Sequence, residues 1–119
     1  MQFPVDIWLR GTNHATTETI RSVHREPREW TDADVTAVLT AMLRALERAK
    51  HPDADVDRPV AMRGFSWIVN PFEGGGVVIA LELTLGAVVA GPFDIAEGDL
   101  TKAIGRVMSA ARAPSQNVH

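Results

Sequence analysis

From its start the chain alternates apolar and polar positions. Phe3, Val5, Ile7 and Leu9 fall on one side of an extended segment, and Pro4, Asp6, Trp8 and Arg10 on the other. A period of two is the pattern of a half-buried β-strand. GTNH, Gly11 to His14, is turn chemistry, and TTETIRSVHR after it reads as a second, polar strand suited to a sheet edge. The period then changes. Val35, Val38, Leu39, Met42, Leu46 and Ala49 recur at helical spacing, which predicts a helix from about Asp32 to Lys50. Thr31 is a natural N-cap with Asp34 three residues on, while Arg48, Lys50 and His51 suit the negative end of the helix dipole and Pro52 stops the helix.

Beyond the polar linker HPDADVDRP, alternation returns. VAMRGFSWIVN reads as a third strand with Phe65, Trp67 and Val69 on one side. The glycines Gly74, Gly75 and Gly76 follow, then a long apolar run. Taken as one strand, that run puts Val77, Ile79, Leu81, Leu83, Leu85, Ala87 and Val89 on one face. Val78, Ala80, Glu82, Thr84, Gly86 and Val88 fall on the other, with Gly86 marking a bulge or bend because so long a strand is unusual. A second helix begins near Asp94 or Asp99 and carries Leu100, Ile104, Val107 and Ala111 as its stripe.

The predicted order is strand, strand, helix, strand, strand, helix. Its natural packing is an α+β two-layer sandwich (ββαββα): a four-stranded, mostly antiparallel sheet with two helices on one face. Residues 1–112 form a single domain in this reading, and 113–119 a flexible C-terminal tail.

The composition fits one globular domain. The chain has 119 residues, 45% of them hydrophobic and 23% charged, and a formal net charge of −3. There is no cysteine, which excludes disulfides and thiolate chemistry. MQFPVDIWLRG lacks the basic start and continuous apolar core of a signal peptide, so the expected location is cytoplasmic. Ten of the twelve basic residues are Arg, a bias that fits a high-GC bacterial source.

Each candidate for chemistry is weaker than its ordinary explanation. A phosphate loop leads into a helix and supplies Lys and Ser/Thr after the glycines, whereas here the glycines lead into a strand and fit a hairpin turn. The same run is too short, and too rich in Gly and β-branched residues, to span a membrane as a helix. Asp53, Asp55 and Asp57 resemble the start of a calcium loop, but Arg58 and Gly64 stand where Gly and Glu are required. His14 and His24 could meet across a hairpin, with Arg63 as a further polar group, giving the minimum for acid–base work. Arg21, Arg25 and Arg28 are interleaved with Glu18, Glu26 and Glu29, unlike the unbalanced basic patch of a nucleic-acid face. No catalytic residue, metal ligand or cofactor motif emerges.

The uncovered sheet face is more informative. Trp8 and Arg10 on the first strand, and Val78, Ala80 and Val88 on the fourth, lie opposite the helix-facing side. Apolar residues on the bare side of a two-layer sandwich imply another layer. The leading expectation is a non-catalytic interaction or assembly module acting through this face, as a homodimer or larger homo-oligomer. A small-molecule binding protein or enzyme, with a pocket between helices and sheet or at a dimer seam, comes second. A weak nucleic-acid binder comes third.

Overall fold

The computed structural model describes residues 2–12, 14–21, 23–52 and 60–112. The acidic stretch Asp53–Asp57, Arg58 and the tail 113–119 lie outside these residues.

The described elements run β1 (Phe3–Leu9), β2 (Ala15–Ile20), α1 (Asp32–Lys50), β3 (Ser66–Pro71), β4 (Val77–Leu83), β5 (Gly86–Phe93) and α2 (Glu97–Arg112). A short 3-10 turn, Pro27–Glu29, precedes α1. All strand pairs are antiparallel, in the spatial order β2-β1-β5-β4-β3. The class is α+β as expected, but the sheet has five strands among the described residues, in the order ββαβββα, where four strands and ββαββα were predicted.

The extra strand arises because the long apolar run folds back on itself. Leu83 pairs with Gly86, leaving Thr84 and Leu85 as a two-residue connection. Gly86 has φ +152, and a Cβ there would lie 2.0 Å from the Trp8 carbonyl oxygen, so only glycine lets β5 approach β1 at this point. Gly86 is therefore the first residue of a new strand rather than a bulge within one.

The reversal shifts the face pattern by one residue. Val77, Ile79 and Leu81 are buried as expected, but past the turn Val88 and Ala90 enter the core and Ala87 and Val89 face outward. Near its end β5 carries one more residue than β4, with Val77 opposite Phe93 but Ile79 opposite Ala90. This bulge resets the alternation and turns Phe93 inward, edge-on to Phe3 (centroids 5.1 Å) and Trp30 (4.9 Å).

The helix α1 forms where the pattern placed it. Asp34 N–H donates to the Thr31 hydroxyl (3.2 Å) and Thr31 N–H donates to the Asp34 carboxylate (3.0 Å), a complete capping box. Val35, Val38, Leu39, Met42, Leu43, Ala45 and Leu46 are its buried stripe. A two-toothed ion pair from Arg106 to Asp32, with its shortest contact at 2.9 Å, ties α2 to the first turn of α1. In α2, Leu100, Ile104, Val107 and Met108 complete one continuous core with the sheet. Gly74–Gly76 make the β3–β4 hairpin turn, closed by Phe72 N–H to the Gly76 carbonyl at 2.9 Å. No helix among the described residues is long and apolar enough to cross a membrane.

Candidate interaction face

Both helices pack on the face that carries Phe3, Val5, Ile7, Val69, Ile79, Leu81 and Val88. Alternation sends the remaining side chains to the opposite face, and the strand registers arrange them in rows. One row runs Ala15, Trp8, Ala87, Glu82, Ser66 across all five strands. The next runs Thr17, Asp6, Val89, Ala80, Ile68. Val78 and Asn70 pair in the row after that, as do Pro4 and Thr19.

The middle of this face is apolar. Ala87 and Val89 on β5, with Val78 and Ala80 on β4, form a half-buried strip of small side chains. Trp8 and Ile68 stand on either side of it, 42% and 51% exposed. Polar groups lie towards the margins. Thr17 donates a 2.7 Å hydrogen bond to the Asp6 carboxylate, while Glu82 is exposed. Arg10, one residue past β1, holds the β4–β5 turn through its backbone N–H to Leu85 O (2.8 Å) and its Nε–H to Thr84 O (3.0 Å).

Of the residues expected here, Trp8, Val78 and Ala80 lie on the uncovered face, and Arg10 is exposed beside it. Val88 does not; it is 0% exposed in the core, because the turn at Thr84–Leu85 shifts the parity of everything after it. Ile68 and Val89 belong to the face and were not anticipated. Ile68 was recoverable from its alternation with Trp67 and Val69, whereas Val89 required the hidden turn.

The polar candidates do not converge. His14 immediately precedes β2 and His24 comes four residues after its end, so the two flank opposite ends of the strand. Arg63 leads into β3, at the opposite sheet edge from β2. All three are exposed. Among the described residues, no three His, Asp or Glu side chains are grouped so as to hold a metal ion.

The shifted titrations belong to helix architecture. The Thr31 backbone hydrogen bond holds the Asp34 carboxyl below its ordinary value, and Arg106 does the same for Asp32 by hydrogen bonding and charge. Neither group faces the uncovered side of the sheet.

One cleft of about 440 Å³ lies between the end of α1 and the β1–β2 pair, lined by Ile7, Leu9, Thr16, Glu18, Arg48 and Pro52 among others. Arg48 and Glu18 form an ion pair in its wall. No family model, curated protein or solved structure matches the chain.

Proposed function

We propose that this chain is a non-catalytic interaction module whose working surface is the open sheet face, covered in its functional state by a further protein layer. One observation carries the reading: Trp8 and Ile68 are left 42% and 51% exposed around an apolar strip, although the helices and the other sheet face complete a core without them. Scattered exposed apolar residues are ordinary, whereas a contiguous group on one flat surface marks contact with something else. The fold supports this use because antiparallel strands present such side chains on a rigid, regularly spaced grid.

Photochemical oxidation of tryptophan inside the cells that make the protein tests the reading. Trp8 is expected to be oxidised less in cells than in dilute purified protein, with the half-buried Trp30 and Trp67 as internal references. Equal Trp8 oxidation in the two settings overturns it.

The cleft beside Arg48 favours small-molecule binding as the second reading, because it joins apolar walls to the Arg48–Glu18 ion pair between a helix and the sheet. A ligand screen read by changes in NMR signals from Ile7, Leu9 and Thr16 addresses it; binding that shifts these residues and spares Trp8 would move the function to the cleft.

A further inference from the structure

We infer that the free sheet edge, β3, pairs with β3 of a second copy of this chain, antiparallel about a two-fold axis that passes beside Ile68 and stands perpendicular to the sheet. The contact lies at the rim. It goes beyond the reading of the open face, and it leaves that face uncovered in both copies.

β3 ends the strand order, with β4 as its neighbour on one side. Phe72 N–H donates to the Gly76 carbonyl, and the β3–β4 register sets Pro71 against Val77 and Asn70 against Val78. Bonding direction alternates along an antiparallel strand. Ser66, Ile68 and Asn70 therefore bond inward to β4, while Trp67, Val69 and Pro71 turn their main-chain groups outward. Pro71 fits that assignment, because a strand proline belongs where its missing N–H would face away from the sheet. The outward N–H groups of Trp67 and Val69, and the carbonyls of Trp67, Val69 and Pro71, have no hydrogen-bond partner among the described residues. Nor does charge guard this row. Ser66–Pro71 holds no charged side chain, whereas β2 at the other edge carries Glu18, paired with Arg48. Of the three large hydrophobic side chains exposed among the described residues, Ile68 lies in β3 and Phe72 directly after it.

Donors and acceptors at alternate residues are matched by another extended strand. The strand that fits is β3 itself, because its chemistry reads the same from either end. About Ile68 the order is Ser66, Trp67, Ile68, Val69, Asn70: polar, apolar, apolar, apolar, polar in both directions. Antiparallel pairing centred there sets Ile68 against the partner's Ile68, and Ser66 against the partner's Asn70, on the open side. On the helix side it sets Trp67 against the partner's Val69, an aromatic–β-branched pair. Trp67 and Val69 then exchange main-chain bonds with the partner's Val69 and Trp67, so each of those N–H groups gains an acceptor. Pro71, with no N–H to give, falls outside this bonded centre. A register two residues away is worse in either direction. One sets Ile68 against the partner's Asn70 and brings Pro71 into the bonded row; the other sets Ile68 against the partner's Ser66. With no charge in the strand, nothing repels across the axis.

The test is sedimentation equilibrium of the full chain from about 1 µM to about 1 mM, on the wild type, Ile68→Lys, Ile68→Glu, an equimolar mixture of those two, and Trp8→Lys. A strand-edge contact is smaller than a standard interface, so a dissociation constant on the order of 10–100 µM is expected. Each Ile68 variant is expected to weaken the dimer about tenfold or more, because like charges then face each other across the axis. The mixture is expected to recover most of the loss, because an ammonium then faces a carboxylate. Trp8→Lys, on the open face of β1, is expected to leave the dimer unchanged. Circular dichroism verifies folding. Hydrogen exchange of the wild type keeps the test decisive should the Ile68 variants unfold: the Trp67 and Val69 amides should slow as concentration rises, and amides indifferent to concentration overturn the pairing. A wild type that stays monomeric throughout the range overturns it too. A dimer indifferent to the Ile68 charges, or lost with Trp8→Lys, uses another surface, and single losses without recovery in the mixture refute the axis at Ile68. Protection of Trp8 in cells reads the open face alone, so that reading stands or falls separately.

Discussion

The hidden turn at Thr84–Leu85 can be tested with two adjacent valines. If β5 begins at Gly86, Val88 faces the core and Val89 the open side; if the apolar run were one continuous strand, the two would exchange places. Val88→Ala deletes two buried methyl groups, worth about 0.8 kcal/mol each in transfer energy. Incomplete collapse of the resulting space adds up to about 1.2 kcal/mol at roughly 24 cal/mol per Å³. The expected loss is therefore about 1.6–2.8 kcal/mol. Unfolding entropy for a domain of this length is about 0.25 kcal/mol/K, so the melting temperature should fall by about 6–11 °C. Val89→Ala, at a half-exposed site, should cost no more than about 0.5 kcal/mol, or about 2 °C. Both variants are melted at low micromolar concentration, to limit any contribution from self-association, and checked by urea unfolding. A Val89→Ala loss equal to or larger than that of Val88→Ala would refute the two-strand reading of the run.

Three further outcomes are expected. Gly86→Ala should cost well over 2 kcal/mol in urea unfolding, because its methyl group would collide with the Trp8 carbonyl at a φ of +152; a stable variant would mean that β5 does not approach β1 so closely. Thr31→Ala should lose about 1 kcal/mol in urea unfolding by breaking the capping box, and a silent substitution would show that the box does not hold in solution. The depressed Asp32 and Asp34 carboxyls stabilise the fold fully above their unfolded values, and that contribution is lost as pH falls through the folded values, below the ordinary 3.8; Asp34→Asn should flatten the acid limb of a melting-temperature profile relative to the wild type.

Legibility in the sequence followed the strength of local signals. Helix α1 could be read because Thr31, Asp34, the apolar stripe and Pro52 all indicate the same boundaries. The first strand could be read because alternation over Phe3–Leu9 is unbroken. The β4–β5 turn was obscured because Thr84 and Leu85 carry no turn chemistry; neither needs positive φ, and the whole conformational demand falls on Gly86. A lone glycine in an apolar run fits a bulge as well as a reversal, and the wrong choice exchanges Val88 with Val89. The open face was therefore legible on β1 and β4, where Trp8, Val78 and Ala80 precede the turn, and misread after it. The β1–β2 hairpin expected around the histidines is present, with His14 and His24 flanking opposite ends of β2.

The strand order has a consequence for how the chain is made. β1 begins at Phe3, yet its inner neighbour is β5, which ends at Phe93, and among the described residues the β1–β5 ladder is the one strand pairing that joins the N-terminal hairpin to the C-terminal three-strand meander. During synthesis the first hairpin and α1 emerge with β1 still lacking its inner partner, and the sheet can close only after nearly the whole domain has been translated. Closure across so many residues is the slow kind of folding, paid in loop entropy before its contacts form. Each half also carries its own helix, so the two resemble separately built panels joined along one central seam. Expressed as two fragments, 1–52 and 60–119, they should find each other through that seam and restore the far-ultraviolet signature of the intact chain.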